Sequence, residues 1–165
     1  TPDKEELKRI RKENENISKA RSLNDDRMDF RSGFIWPAQG PISGVYGSQR
    51  ILNGKARQPH FGIDIAVSIG TPVAAPAAGI VTYVNTDMYF SGGTLVVDHG
   101  YNLSSSFLHL SKILVDIGDQ VERGQIIALV GATGRVTGAH LDWRMNWRRQ
   151  RLDPGLLVGK MPVQE

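Results

Sequence analysis

The sequence predicts an all-β fold, an antiparallel β-sandwich or partial barrel, preceded by one N-terminal helix. Two observations predict the β part. From Gly33 onward, short apolar runs alternate with all 18 glycines and seven of the eight prolines of the chain, as in strands joined by tight turns. No run in this part keeps a helical period for three turns. Before Gly33, glycine is absent and charged residues dominate, which favours a helix.

The composition bounds the possible classes of protein. The chain has 165 residues, of which 40% are hydrophobic and 22% charged, so one soluble globular domain with an appendage is expected. The apolar runs are too short to cross a bilayer, and we expect no membrane-spanning segment. A net charge of +3 is weak evidence for a nucleic-acid partner, and we expect none. The chain has no cysteine, so any metal must be bound by His, Asp or Glu.

The first unit, residues 1–32, is predicted to be a helical linker or spacer with its helix at 3–23. Leu7, Ile10 and Ile17 form an apolar stripe that polar residues interrupt. The broken stripe favours a solvated spacer over a coiled-coil partner, although the second interpretation stays open. Such a helix should be dispensable for folding of the β part.

The second unit, residues 33–158, is predicted to carry the strands, and residues 159–165 a tail. Turn sequences such as Gly131-Ala132-Thr133-Gly134 separate the apolar runs. The predicted strands are 71–75, 79–85, 94–98, 104–109, 125–130 and 139–144.

Two pairs of residues could form a metal site. His60 and Asp64 are four residues apart, which is roughly 13 Å in a straight strand. They can share a metal ion only if the chain bends, and Gly62 between them would permit the bend. In the second pair, His140 and Asp142 should share one face of a strand. The alternative is that these are ordinary turn and strand residues.

The remaining histidines and a basic run complete the candidates. His109 lies in a strand-like segment, and its importance depends on the two pairs above. His99 precedes Gly100 at a strand end, which favours a structural role. The arginines at 144, 148, 149 and 151 alternate with tryptophans. This run could bind nucleic acid or glycan, but packed rings and solvated guanidinium groups are the simpler interpretation.

Together these segments resemble the M23 peptidase family, which includes LytM and the lysostaphin-like zinc endopeptidases. The resemblance spans roughly residues 34–154 and depends on the order of several motifs. These are His60-x-x-x-Asp64, Gly70-Thr71-Pro72-Val73, Ala75-Pro76-x-x-Gly79, His109-Leu110-Ser111, Gly131-x-Thr133-Gly134 and His140-Leu141-Asp142.

The resemblance implies roles for five residues. His60 and Asp64 correspond to ligands of a single zinc ion, and His109 and His140 to the residues that handle the proton and the oxyanion. The third ligand of the family is the second His of a His-x-His motif, and this chain has Asp142 there. A carboxylate is an accepted zinc ligand, so Asp142 is predicted to be the third.

The implied function is cleavage of peptide stems or cross-links in bacterial peptidoglycan, in an active-site groove of the β-sandwich or partial barrel. The implied location is the periplasm or cell envelope. An upstream domain or regulatory protein could bind through the N-terminal helix. The alternative is a catalytically degenerate module that binds cell wall or regulates a partner hydrolase. Because four of the five positions match the family, the sequence favours the enzyme.

Overall fold

The computed structural model describes residues 1–162 and consists mainly of short antiparallel strands with one α-helix. All the predicted strands are present, and the structure also contains several strands of two or three residues that were not predicted. The elements are α1 (Lys4–Ala20), a 3₁₀ turn (Asp29–Ser32), β1 (Ile42–Gly44), β2 (Ile51–Leu52), β3 (Lys55–Ala56), β4 (Ile63–Ile65), β5 (Pro72–Ala74), β6 (Gly79–Met88), β7 (Gly92–Asp98), β8 (Leu103–Leu110), β9 (Lys112–Ile113), β10 (Gln120–Val121), β11 (Ile126–Leu129), β12 (Leu141–Trp147), β13 (Gln150–Leu152) and a 3₁₀ turn (Pro154–Leu156).

The strands form one large sheet and two small ones. The large sheet has the order β1-β4-β12-β8-β7-β6-β10, and β13 pairs with β12 at its side. The second sheet is β5-β11-β9, and β2 and β3 form a separate hairpin. All the strand pairs are antiparallel, as the sequence predicts.

The main core lies between one face of the large sheet and the second sheet. Alternate residues of β12, Leu141, Trp143 and Met145, are fully buried in it. They pack in one cluster with Val73 of β5 and Ile127 of β11. Because side chains alternate along a strand, Asp142 and Arg144 lie on the opposite face of the large sheet.

The helix α1 begins with a capping box in which Asp3 and Glu6 each accept a backbone N–H of the other. It is shorter than the predicted span of 3–23, and none of its residues is fully buried. Ile17 and Ala20 nevertheless pack against a small apolar cluster on the outer face of the large sheet, formed by Tyr83, Met88 and Val96.

The segment after α1 is bound to the same sheet. Arg27 forms an ion pair with the buried Asp98 of β7. The backbone N–H of Tyr101 donates to the carbonyl of Asp25. A Cβ at Gly100 would lie 1.8 Å from the carbonyl oxygen of Arg27, and Gly100 has a φ of +91°, so glycine is required by both space and conformation. Residues 1–32 thus contact the sheet more closely than a solvated spacer would.

Within residues 1–162, no helix combines the length and the hydropathy that crossing a bilayer requires. The predicted tail at 159–165 falls partly outside the described residues, from position 163 onward.

Candidate metal centre and active site

Strand pairing brings the two candidate metal pairs together. β4 and β12 are neighbours in the large sheet, and Asp142 is the register partner of Asp64. His60 lies in the loop just before β4. Residues that are about 80 positions apart in sequence therefore meet on one face of the sheet.

Three donor atoms converge at this point. The Nε2 of His60 lies 3.1 Å from Oδ1 of Asp64 and 3.5 Å from Oδ2 of Asp142. The three ligand atoms all lie within 4.8 Å of one another. Donors about 2.0–2.2 Å from a tetrahedral zinc ion are about 3.3–3.6 Å apart. The donor types and the spacing both fit one zinc ion, and Oδ1 of Asp64 is a buried atom without a hydrogen-bond partner in the described chain.

Gly62 is needed for this arrangement because of close packing. A Cβ at this position would lie 2.6 Å from Oδ1 of Asp142 and 2.9 Å from the carbonyl oxygen of Trp143. The absence of a side chain lets the loop that carries His60 lie directly against β12. The bend predicted at Gly62 is present, but it does not use the left-handed backbone region that only glycine favours.

Sequence reasoning missed the main partner of Asp142. Arg144, two residues further along the same face of β12, donates from Nε to Oδ1 at 3.0 Å and from Nη2 to Oδ2 at 2.8 Å. This is the two-pronged geometry in which arginine binds carboxylates most strongly. Its guanidinium group is therefore paired and half-buried, whereas the sequence favoured a solvated one. The Asp-x-Arg spacing on a strand was the available signal.

The charges of the cluster shift the pKa values of its members. Burial lowers the pKa of His60, but the carboxylates of Asp142 and Asp64 outweigh burial and raise it to about 9. Burial likewise raises the pKa of Asp142, but hydrogen bonds from His60 and Arg144 lower it well below its usual range. Asp142 is thus a carboxylate at neutral pH. Bound zinc would replace the proton that His60 otherwise holds on Nε2.

His109 and His140 lie beside the donor cluster, with ring centroids 5.0 Å apart. Nδ1 of His109 lies 2.9 Å from the carbonyl oxygen of Thr133, and Nδ1 of His140 lies 2.9 Å from that of Gly138. A carbonyl oxygen can only accept, so each Nδ1 donates the hydrogen bond, and Nε2 is the nitrogen that carries the lone pair in the neutral form of each ring. Nε2 of His140 lies 3.7 Å from Oδ1 of Asp64.

His109 is buried and has an unusual backbone conformation. His109 has a φ of +63°, in the left-handed region that non-glycine residues rarely adopt. Burial lowers the pKa of this imidazole, so it is neutral at neutral pH and can accept a proton.

An open groove of about 880 Å³ contains the cluster. Its lining includes Asp64, Asp142, His109 and His140, and the aromatic ring of Phe90 from the β6–β7 turn. His99 lies elsewhere, fully buried, with Nδ1 donating to the carbonyl of Ala78. The structure thus brings the five predicted site residues together and leaves His99 in a structural position.

Comparisons with known proteins agree with this geometry. Residues 58–154 match the profile of Peptidase family M23. Peptidoglycan DD-endopeptidase ShyB of Vibrio cholerae is 45% identical over 122 residues, which is 74% of this chain and 26% of that protein. Peptidoglycan DD-endopeptidase ShyA of the same organism is 47% identical over 87 residues, 53% of this chain and 20% of that protein. This chain therefore spans about a quarter or less of these relatives.

Solved structures show the same fold. A crystal structure from Pseudomonas aeruginosa described as an M23 peptidase superposes with a TM-score of 0.84 at 40% identity, covering 94% of this chain and 63% of the other. A zinc-containing peptidase from Vibrio cholerae gives a TM-score of 0.70 at 34% identity, covering 79% of this chain and 41% of the other. The family profile covers more than half of the chain and includes all five site residues. With its fold and its His/Asp/Asp donor cluster, this chain belongs to peptidase family M23.

Proposed function

We propose that this chain is a zinc-dependent endopeptidase domain that cleaves peptide stems or cross-links of bacterial peptidoglycan. The observation that carries the proposal is the convergence of three donor atoms at zinc spacing beside two imidazoles with free Nε2 atoms. The DD-endopeptidase names of the relatives support the substrate class.

His60, Asp64 and Asp142 would hold the zinc ion. When bound, zinc would act as a Lewis acid that polarises the scissile carbonyl and lowers the pKa of the attacking water. Arg144 holds the carboxylate of Asp142 in place through both oxygens, and each oxygen keeps a further lone pair for a metal.

His109 and His140 would handle protons at Nε2. The neutral imidazole of His109 can take a proton from the attacking water and later return it to the leaving amine. With a second proton taken from solvent in the open groove, His140 can donate from Nε2 to the oxygen that becomes negative in the tetrahedral intermediate. The hydrogen bonds from Nδ1 to Thr133 and Gly138 fix both rings for these tasks.

The finer assignments follow from the same proposal. The groove beside β12 would bind an extended peptide, residues 33–158 would form the peptidase domain, and residues 1–32 an arm in front of it. A partner protein could bind this arm. An enzyme with this substrate would act in the periplasm or elsewhere in the cell envelope.

One observation favours a second candidate, a catalytically degenerate module that binds cell wall or regulates a hydrolase. Arg144 already neutralises Asp142, and a protonated His60 already lies between two carboxylates. These internal cations could stabilise the cluster without metal.

Zinc content and peptidoglycan digestion separate the two candidates. Protein purified without a His-tag should bind one zinc ion and release soluble peptides from purified sacculi, detected by mass spectrometry. His60→Ala should lose zinc and activity. His109→Ala should retain zinc and lose at least about a hundredfold in rate. Parent protein that binds no zinc at stoichiometric metal, and releases nothing, would establish the degenerate module.

A further inference from the structure

A second cleft, of about 860 Å³, lies between the C-terminal end of α1 and the β12–β13 hairpin. We call it the arginine cleft because Arg21, Arg148, Arg149 and Arg151 line it. Its other lining side chains are four asparagines, one glutamine, two serines and one isoleucine. The lining thus has four positive charges, many amide and hydroxyl groups, and no carboxylate.

Arg21 lacks a counter-charge in the described chain. Its Nη2 donates to the hydroxyl of Ser106 at 2.9 Å, while its Nε is buried without a hydrogen-bond partner. Burial, together with the positive charges of Arg144 and Arg151, lowers the pKa of Arg21 to about 10. A partly buried cation among cations costs stability, and a bound anion would reduce that cost.

The hairpin holds two of the arginines in an unfavourable backbone conformation. Trp147 pairs with Gln150, so Arg148 and Arg149 form a two-residue turn, and their φ values are +48° and +66°. Turns with positive φ at both central residues strongly prefer Asn-Gly or Asp-Gly. Arginine at both positions is strained, and such strain is concentrated at functional sites.

Aromatic rings position two of the guanidinium groups. The guanidinium carbon of Arg148 lies 5.0 Å from the ring centroid of Trp147, and that of Arg151 lies 4.1 Å from the ring centroid of Phe61. These stacked arrangements restrict both side chains before any ligand binds.

The arginine cleft continues along the same sheet face as the groove. Asp142, Arg144 and Asn146 alternate on one face of β12; the first two line the groove and the third lines the cleft. A polymer in the groove can therefore extend into the cleft. The planar guanidinium group of arginine binds a carboxylate through two parallel hydrogen bonds. A peptide offers carboxylates at its C-terminus and on its acidic side chains.

We propose that the arginine cleft is an anion subsite that binds carboxylates of the same peptidoglycan chain whose peptide lies in the groove. This inference rests on the proposed function for the identity of the polymer. The cleft would hold the polymer while the groove acts on one bond.

The test replaces the strained turn with its preferred sequence, Arg148→Asn with Arg149→Gly. The matched control, Lys8→Gln with Arg11→Gln, removes the same charge from the exposed surface of α1. The turn variant should sediment with purified sacculi about tenfold more weakly than the parent, as expected for the loss of two solvent-exposed ion pairs. Its melting temperature should be equal or higher, because the new turn is unstrained. The control should bind like the parent.

Soluble probes define the ligand chemistry. Poly-glutamate should compete with sacculi for the parent and bind the turn variant more weakly. Equal binding of parent and turn variant, an equal loss in the control, or competition by polyphosphate but not by poly-glutamate would each overturn the proposal.

Hydrolysis of a short peptide that reaches only the groove separates the two hypotheses. The turn variant should cleave it at the parental rate. If neither protein cleaves any peptide while the turn variant still loses sacculus binding, the proposed activity fails and the anion subsite stands.

Discussion

Asp142 and Arg144 are best understood as one unit. A divalent ion with His60, Asp64 and Asp142 would have a net charge of zero, whereas a His-Asp-His set would give +1. The paired guanidinium group of Arg144 restores one positive charge beside the site. A neutral site would make bound water less acidic than a site of charge +1, and the charge of Arg144 would partly offset this difference.

At the residue scale, Asp142→Ala should weaken zinc binding sharply, because it removes one of three donor atoms. Asp142→His should bind zinc more tightly than the parent and favour it more strongly over manganese, since imidazole is a softer donor than a carboxylate. Zinc and manganese titrations of the three proteins test this prediction. Equal zinc affinity of Asp142→Ala and the parent would mean that Asp142 is not a ligand.

Arg144→Met should destabilise the zinc-free protein by about 3–5 kcal/mol, because the buried Asp142 loses its main partner. Zinc would supply a replacement charge, so zinc should raise the melting temperature of this variant more than that of the parent. Thermal unfolding with zinc and with chelator gives the comparison. Equal shifts in the two proteins would show that Arg144 and the metal do not interact.

The sequence predicted which residues lie together better than it predicted the contacts between them. Motif order located His60, Asp64, His109, His140 and Asp142, and the structure brings them together. The spacing Asp-x-Arg on β12 was the only sequence signal for the contact between Arg144 and Asp142, and the close packing of Gly62 and β4 against β12 has no such signal.

At the scale of elements, the segment that follows α1 matters more than its sequence suggested. Removing residues 1–29 should destabilise the protein by about 3 kcal/mol more than removing residues 1–20. Only the longer deletion takes away Arg27 and leaves Asp98 as an unpaired buried carboxylate. Asp98→Asn in the longer deletion should recover most of the difference, measured by urea unfolding. Equal stability of the two deletions would assign the contribution to α1 alone.

The longer strands were predictable because their apolar runs end at glycine or proline. Apart from β5, which lies between Gly70 and Pro76, the strands of two or three residues were not predicted, because so few residues carry too little pattern. α1 was predictable from its composition, but its contact with Tyr83, Met88 and Val96 was not. Although the apolar stripe of α1 is interrupted, Ile17 and Ala20 are enough to pack the helix against this small cluster.

At the scale of the whole molecule, a buried histidine outside the site should govern stability in mild acid. Burial lowers the pKa of His99 to about 4, whereas an unfolded histidine has its ordinary value near 6.5. Between these values only the unfolded state binds the proton. Stability should therefore fall as the pH drops from about 6.5 to 4, by up to roughly 3 kcal/mol.

His99→Gln removes this titration. The variant should show a flatter pH dependence of the free energy of unfolding over the same window, even if it is less stable at pH 7. Urea unfolding of both proteins at several pH values provides the measurement, and parallel curves would exclude His99 as the source.

The strand β12 sets the distance between the metal cluster and the arginine cleft. Arg148 follows Asp142 by six residues, which is about 20 Å of extended chain. A substrate held at one end and cut at the other must span that length, so about six extended residues form the shortest molecule able to occupy both places. If the proposed activity and the anion subsite are correct, turnover should rise abruptly with substrate length at that size and change little beyond it.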